Sequence, residues 1–227
     1  MLFTYFDNWL SFTILFGLLL IVTFIMMKQS RNFYTKDVVI RKFNIMELEM
    51  PATPTELMNI IKGLYLLPPL QSKKSISALR AQLKLDFLFM PLAYGTIFLL
   101  NWRVAHKMQS QPGYYMFLAF AFLQLVPWVC DIIENIYLLG KIKPEPGMTN
   151  EKKHKNYLIM EGAKWGITLT AVVCSVSAAA YFWLTGNYSS GSFYFLLIVL
   201  VEVIIFLIAV KVFFKARKLS KVVTNDL

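Results

Sequence analysis

Residues 114–139 read YYMFLAFAFLQLVPWVCDIIENIYLL, a mainly apolar stretch long enough to cross a bilayer. A run of about 18 or more apolar residues is typical of a transmembrane helix. Four further stretches of this kind cover residues 9–27, 86–104, 164–184 and 193–214. The chain is 57% hydrophobic with a mean hydropathy of +0.56, whereas soluble domains are about half apolar or less. The sequence therefore predicts an all-α polytopic membrane bundle, one domain over residues 1–227 with five transmembrane helices.

The positions of the basic residues predict which way this bundle faces. All but two of the 23 Lys and Arg residues lie in residues 28–84, in residues 140–164 or in the C-terminal segment from Lys211. Only Arg103 and Lys107 lie on the other side. Because Lys and Arg concentrate in short cytoplasmic loops, we expect the N-terminus outside and the C-terminus inside.

The net charge of +10 predicts lipid rather than nucleic acid as the partner. The basic residues lie next to the spans, where each attracts anionic lipid headgroups by about 1 kcal/mol. We expect a multi-pass protein of a bacterial inner membrane with anionic lipid at its cytoplasmic face. Assembly with a second copy or with another membrane protein stays open.

The loop at 28–85 carries helix signals of its own. Thr53-Pro54-Thr55-Glu56 matches a capping box with proline at the first helical position, and apolar residues at helical spacing follow it. A second short, basic amphipathic helix is predicted from Ser75, with Leu79 and Leu83 on its apolar face. Such a helix typically lies in the headgroup layer, although it could also cap the bundle or dock a partner.

Residues 43–50 alternate apolar and polar side chains, which is the period of a strand. A lone strand is not stable. The pattern therefore predicts either an extended segment held on the bundle or a hairpin with residues 38–42.

The third span carries a polar stripe that hydrocarbon cannot solvate. Its members are Gln124, Asp131, Glu134 and Asn135. Pro127 lies on the same stripe and is expected to bend the helix and free the carbonyl of Leu123. The stripe fits a structural hydrogen-bonded cluster, a ligand or ion site, or a catalytic pair of carboxylates.

Neighbouring spans offer groups that can join this stripe. Asp86 opens the second span, and Tyr94 lies about 12 Å further along it on a neighbouring face. Glu161 and Lys164 share one face at the start of the fourth span, where Lys164 is the expected partner of Asp131 or Glu134. That face then continues through small residues, as in closely packed membrane helices.

Two further chemistries are weighed at the sequence level. Glu202 lies near the middle of the fifth span with no basic residue within two turns on its own helix, which makes it a candidate for proton relay. Asp86, Asp131 and Glu134 together would suit a hard cation such as Mg²⁺ or Ca²⁺, but Lys164 in the same place argues against it. No metal and no cofactor are expected.

Three segments resemble a family of small polytopic bacterial membrane proteins of unknown function. They are Asp86-Phe87-Leu88-Phe89-Met90-Pro91-Leu92-Ala93-Tyr94, Asp131-Ile132-Ile133-Glu134-Asn135-Ile136-Tyr137-Leu138 and Ala163-Lys164-Trp165. Residues 43–52 also resemble an acidic segment that precedes the second span in such proteins. The resemblance covers about residues 43–184 and implies that Asp86, Tyr94, Asp131, Glu134, Asn135 and Lys164 act together. It implies no particular reaction.

The leading functional expectation is a non-enzymatic protein with a polar pocket in the inner leaflet. This pocket would hold a cation, a lipid headgroup or a small amphiphile. One alternative is a membrane enzyme acting on a lipid-linked substrate, with Asp131 or Glu134 as general base or metal ligand. The other is a proton- or ion-coupled carrier that uses Glu202 and the Asp131–Glu134 pair.

Overall fold

The structure, a computed structural model, describes residues 8–147 and 151–225, and it describes their side chains except at 190 and 214–225. The C-terminal basic side chains from Lys215 onward therefore lie outside the described residues. Five helical segments are long and apolar enough to cross a membrane, which confirms the predicted all-α bundle. They are Trp9–Ser30, Pro69–Lys107, Gln111–Lys141, Glu151–Leu184 and Gly191–Phe213. The orientation of the bundle stays a prediction.

The described elements follow one another in a simple order. They are α1 (Trp9–Ser30), β1 (Tyr34–Lys36), β2 (Ile40–Lys42), α2 (Met46–Glu49), α3 (Pro54–Tyr65), α4 (Pro69–Lys107), α5 (Gln111–Leu123), α6 (Leu125–Lys141), α7 (Glu151–Leu184) and α8 (Ser190–Asn225). Helix α4 is central, because it packs against α1, α5, α6 and α7, while α8 packs on α1.

The segment from β1 to α3, residues 34–65, forms a small folded unit that we call the cap. Its two strands pair antiparallel, with Thr35 opposite Arg41. Helix α3 begins as the capping box predicts, since the Thr53 side chain accepts a hydrogen bond from the Glu56 amide at 3.2 Å. The Glu56 carboxylate in turn accepts one from the Ala52 amide at 2.7 Å. The first bond satisfies a backbone donor that the first turn of a helix otherwise leaves unpaired, and the second joins the helix to the residue before its N-cap.

The predicted separate helix from Ser75 is wrong. The helix that begins at Pro69 runs without interruption into the second span and ends at Lys107. Its predicted apolar face is fully buried, with Leu79 and Leu83 in the same hydrophobic core as Ile61 of α3. The face that the pattern assigned to the lipid headgroups instead binds the cap, so the cap is fixed to the end of α4.

The strand predicted for residues 43–50 is also wrong. Residues Met46–Glu49 form one helical turn, and the hairpin pairs Tyr34–Lys36 with Ile40–Lys42. Phe43, from the irregular segment before this turn, and Leu48, within the turn, both enter the core of the cap.

The two prolines inside spans behave differently. The third span breaks at Gln124, between α5 and α6, and the break falls where Pro127 removes the hydrogen bond to the Leu123 carbonyl. The interruption agrees with the lost hydrogen bond, and the bend expected from Pro127 stays a prediction. Helix α4 continues through Pro91, so no break occurs next to Asp86.

Gly63 lies on α3 where that helix packs closely against β1, so a larger side chain there should be destabilising. A Cβ atom at this position would lie 2.1 Å from Thr35 Oγ1 and 2.6 Å from the backbone oxygen of Lys36. Gly63→Ala should therefore destabilise the protein by about 1–3 kcal/mol, although alanine favours helix by about 1 kcal/mol. Gly140→Ala is the control, because nothing lies within 4 Å of its Cβ position. Thermal unfolding in detergent measures both, and equal melting temperatures would contradict the close contact.

Candidate functional site: a carboxylate cluster around Lys164

A single ammonium group lies at the centre of the cluster. Lys164 Nζ lies 2.8 Å from Asp131 Oδ1, 2.5 Å from Glu134 Oε2 and 2.6 Å from Glu161 Oε2. The lysine is buried, and so are Glu134 and Glu161. Three carboxylates therefore share one positive charge in a region with little water.

Helical spacing explains how these residues meet. Asp131 and Glu134 are three residues apart on α6, and Glu161 and Lys164 are three apart on α7, so each pair lies on one face. The two faces meet where α6 packs on α7. Ala171 and Ser175, further along the same face of α7, are fully buried and let the helices approach closely.

Neutral donors from α4, α6 and α7 bind the carboxylates of Asp131, Glu134 and Asp86. Tyr94 donates to Asp131 Oδ2 at 2.5 Å, and Tyr157 donates to Glu134 Oε1 at 3.1 Å. The Asn135 amide donates to Asp86 Oδ2 at 2.6 Å. Contacts from two other helices thus fix the carboxylates of α6, and the amide of α6 fixes Asp86 of α4.

The structure brings seven of the eight predicted ligand-site residues together. They are Asp86, Tyr94, Asp131, Glu134, Asn135, Glu161 and Lys164. The prediction that Lys164 pairs with Asp131 or Glu134 agrees with the geometry, since it contacts both. Tyr94 and Asp86 do not touch each other, but both lie beside one cavity.

Gln124 does not join this set. Its amide nitrogen donates to the Phe120 carbonyl at 3.0 Å, within its own span. The polar stripe predicted in the third span requires one regular helix, but the break between α5 and α6 falls at Gln124 itself. The face that carries Asp131 therefore does not extend back to it.

Glu202 lies in a separate place, in a groove of about 340 Å³ between α1 and α8. The other residues that line this groove are apolar or glycine. Gly17 leaves room for the carboxylate, because a Cβ there would lie 2.8 Å from Glu202 Oε1.

Two residues beside the cluster, Tyr157 and Glu49, are not among the site residues predicted from the sequence. Tyr157 precedes Glu161 and Lys164 by four and seven residues, so its helical spacing carried a usable signal. Glu49 of α2 lies in a single turn outside the spans, so helical spacing gives no signal for it, and the resemblance of residues 43–52 to an acidic segment points only to the stretch. The pKa of Glu49 is raised to about 7, mainly by burial; Lys164 lowers it, and repulsion from Asp86, Glu161 and Asp131 adds to the rise.

A cavity of about 250 Å³ lies beside the cluster, against the cap. Glu49, Gln82, Asp86, Asp131 and Thr168 are among its polar lining residues. Gln82 is 5% exposed, and neither its Oε1 atom nor the buried Oγ1 atom of Thr168 has a hydrogen-bond partner among the described residues. Buried polar atoms are rarely left unpaired.

The cluster does not have the character of a metal centre. Within residues 8–147 and 151–225, no group of three or more His, Cys, Asp or Glu side chains is arranged to hold a metal ion. The ammonium of Lys164 occupies the point on which three carboxylates converge.

Comparison with protein-family models, with curated proteins and with solved structures finds no match to this chain. The family resemblance of the Asp86, Asp131 and Lys164 segments therefore stays a prediction, and the assignment of function depends on the geometry alone.

Lys164→Ala should leave three acidic groups without their counter-charge. Loss of one partner from a buried ion pair costs about 3–5 kcal/mol, so we expect a loss of that size in the free energy of unfolding. Lys155→Ala, at an exposed position of the same helix, should change it by less than about 0.5 kcal/mol. Reversible unfolding in mixed micelles measures both. Adding Glu134→Gln to Lys164→Ala should recover part of the loss, and a further loss would contradict the account.

Glu49 predicts a pH dependence of stability. Its pKa rises from 4.5 to about 7 on folding, so between these values the folded state binds more protons than the unfolded state. Stability should therefore fall as pH rises from about 5 to 8, by on the order of 2 kcal/mol. Glu49→Gln should remove this fall. Glu47→Gln, whose side chain pairs with Arg41 at 2.7 Å, should retain it, and identical pH profiles for the two variants would contradict the assignment.

Proposed function

We propose that this multi-pass membrane protein binds a small ligand in the cavity beside Lys164. The ligand would be a cation, a lipid headgroup or a small amphiphile. The observation that carries the proposal is the pair of buried, unpartnered polar atoms, Gln82 Oε1 and Thr168 Oγ1, at the wall of the cavity. Each buried unpaired group costs about 1–3 kcal/mol, and a bound ligand would recover that cost.

The size and lining of the cavity support a ligand larger than one water. A water molecule takes about 30 Å³ in the liquid, and the cavity holds about 250 Å³. Its other walls are apolar and aromatic, with Met26, Ile45, Leu83 and Phe89 among them. A few convergent polar groups set in an apolar wall are typical of small-molecule sites.

The position of the cavity supports access from the inner leaflet. It lies where the cap meets the bundle, and the cap belongs to the segment of residues 28–84 that carries ten of the basic residues. With those residues on the cytoplasmic side, as the charge distribution predicts, the site would lie at the inner surface of a bacterial plasma membrane. Anionic headgroups would then gather around it, while the site itself is acidic.

The contacts that Asp131 and Glu134 already make favour a binding function over a catalytic one. A general base needs a free acceptor within reach of a substrate proton. Asp131 and Glu134 instead each contact the Lys164 ammonium and accept a hydrogen bond from a tyrosine hydroxyl. An enzyme acting on a lipid-linked substrate is therefore the weaker alternative.

The position of Glu202 likewise counts against a coupled carrier. A carrier of protons or ions needs a polar path between this carboxylate and the Lys164 cluster. The described walls of the groove around Glu202 offer no second polar side chain, and they share no residue with the cavity beside Lys164.

Blocking the cavity tests the proposal. Met46 lines the cavity and Met50, four residues on, does not. Native mass spectrometry of the protein purified in mild detergent should reveal a bound species on the wild type. Met46→Trp should remove it and Met50→Trp should retain it. Absence of any bound species from the wild type, or equal loss from both variants, would contradict the proposal.

A further inference from the structure

Most of the free polar atoms of the cavity are hydrogen-bond acceptors, and the Thr168 hydroxyl can accept or donate. Gln82 Oε1 has no donor among the described residues. Asp86 receives the Asn135 amide on Oδ2, and its other oxygen has no described partner. Glu49 makes no described hydrogen bond or ion pair. A ligand that fills the cavity therefore has to bring donors.

The one charged donor that lines the cavity among the described residues, Lys164, is already in use. Lys164 Nζ contacts three carboxylate oxygens within 2.8 Å, and the Tyr94 hydroxyl donates to Asp131. A phosphate or carboxylate in the cavity would face Glu49 and Asp86 without a free cation to neutralise it. The cavity should therefore exclude anions.

The charge of the surroundings points to a cation. Lys164 offsets one negative charge among Asp131, Glu134 and Glu161, and Glu49 and Asp86 have no ion pair among the described residues. Repulsion between like charges is relieved by a bound cation or by shared protons. Acidic side chains thus outnumber basic ones among the residues that line the cavity.

The walls exclude a bare metal ion in favour of an organic cation. Ca²⁺ takes six to eight oxygen ligands and Mg²⁺ about six, whereas the free oxygens here lie among apolar side chains. Phe89, Tyr94 and Trp165 also line the space. Aromatic faces attract alkylammonium groups, and Trp165 already has the Lys164 ammonium 5.9 Å from its ring centroid.

We infer that the cavity binds a protonated amine carried on an apolar body, with Glu49, Asp86 and Gln82 receiving its N–H groups. This inference depends on the proposed function and names its ligand class. The amine can come from the headgroup of an aminophospholipid or from a free long-chain amine, since both present the same ammonium group.

Three probes of equal chain length test the charge preference: octylamine, octanol and octanoate. Isothermal titration in maltoside micelles, with empty micelles as blank, is run at about pH 8. Glu49 is then mostly ionised, because its pKa is about 7. Octylamine should bind at least about tenfold more tightly than the neutral and anionic probes, since charge-assisted hydrogen bonds are about twice as strong as neutral ones.

Two cavity variants and one control locate the effect. Glu49→Gln and Gln82→Leu should each weaken octylamine by about tenfold, while Glu47→Gln, which lies on the same short helix but outside the cavity, should leave the affinity unchanged. Phosphatidylethanolamine that competes with octylamine would identify the lipid headgroup as the source. Failure to compete would identify a free amine.

Equal affinity for the three probes, or octylamine binding that is the same in Glu49→Gln and Gln82→Leu as in the wild type, would overturn the inference. The proposed function would survive that result if Met46→Trp still removed a co-purifying species. If the octylamine preference were absent and Met46→Trp also failed to remove a co-purifying species, both the ligand class and the binding function would be rejected.

Discussion

The contact between the Lys164 ammonium and three carboxylates is the interaction on which the rest of the structure depends. Asp131, Glu134 and Glu161 lie on helices that are otherwise apolar enough to enter a bilayer, and hydrocarbon would not solvate them singly. Sharing one ammonium lets α6 and α7 carry these groups inside the bundle. Tyr94 extends the network to α4, so three helices are fixed relative to one another by one buried charge.

The cap connects this network to the aqueous side of the bundle. Its hydrophobic core includes Leu79 and Leu83, one face of the extension of α4. The Ser75 hydroxyl donates to the Asn32 carbonyl at 2.7 Å, and Arg80 donates to the Ile142 carbonyl at 3.1 Å. Leu48 of α2 belongs to the same core, and Glu49, the next residue, lines the cavity. The titration of a cap residue is thereby coupled to the charges of the spans.

The sequence predicts the parts of this arrangement that follow from helical periodicity and from the cost of charge in lipid. The five spans and the pairing of Lys164 with the acids of α6 are of this kind. A spacing of seven residues predicts Gln124 in the cluster only if the helix is unbroken. The helix breaks at Gln124, before Pro127, so the prediction fails. The basic amphipathic pattern around Leu79 and Leu83 fits a surface helix and a buried extension equally well. Glu49 belongs to a single turn, which has too few residues to show a period, so only tertiary contacts place it.

The distance between Lys164 and its carboxylates is the most direct test of this account. Solid-state NMR on the protein in lipid bilayers, with ¹⁵N in the lysine side chains and ¹³C in the Asp and Glu carboxyl groups, measures it through dipolar dephasing. Lys164→Arg identifies the signal by its disappearance. The account predicts strong dephasing of the Lys164 ammonium by carboxyl carbons at hydrogen-bonding distance. A Lys164 signal that no carboxyl carbon dephases would contradict it.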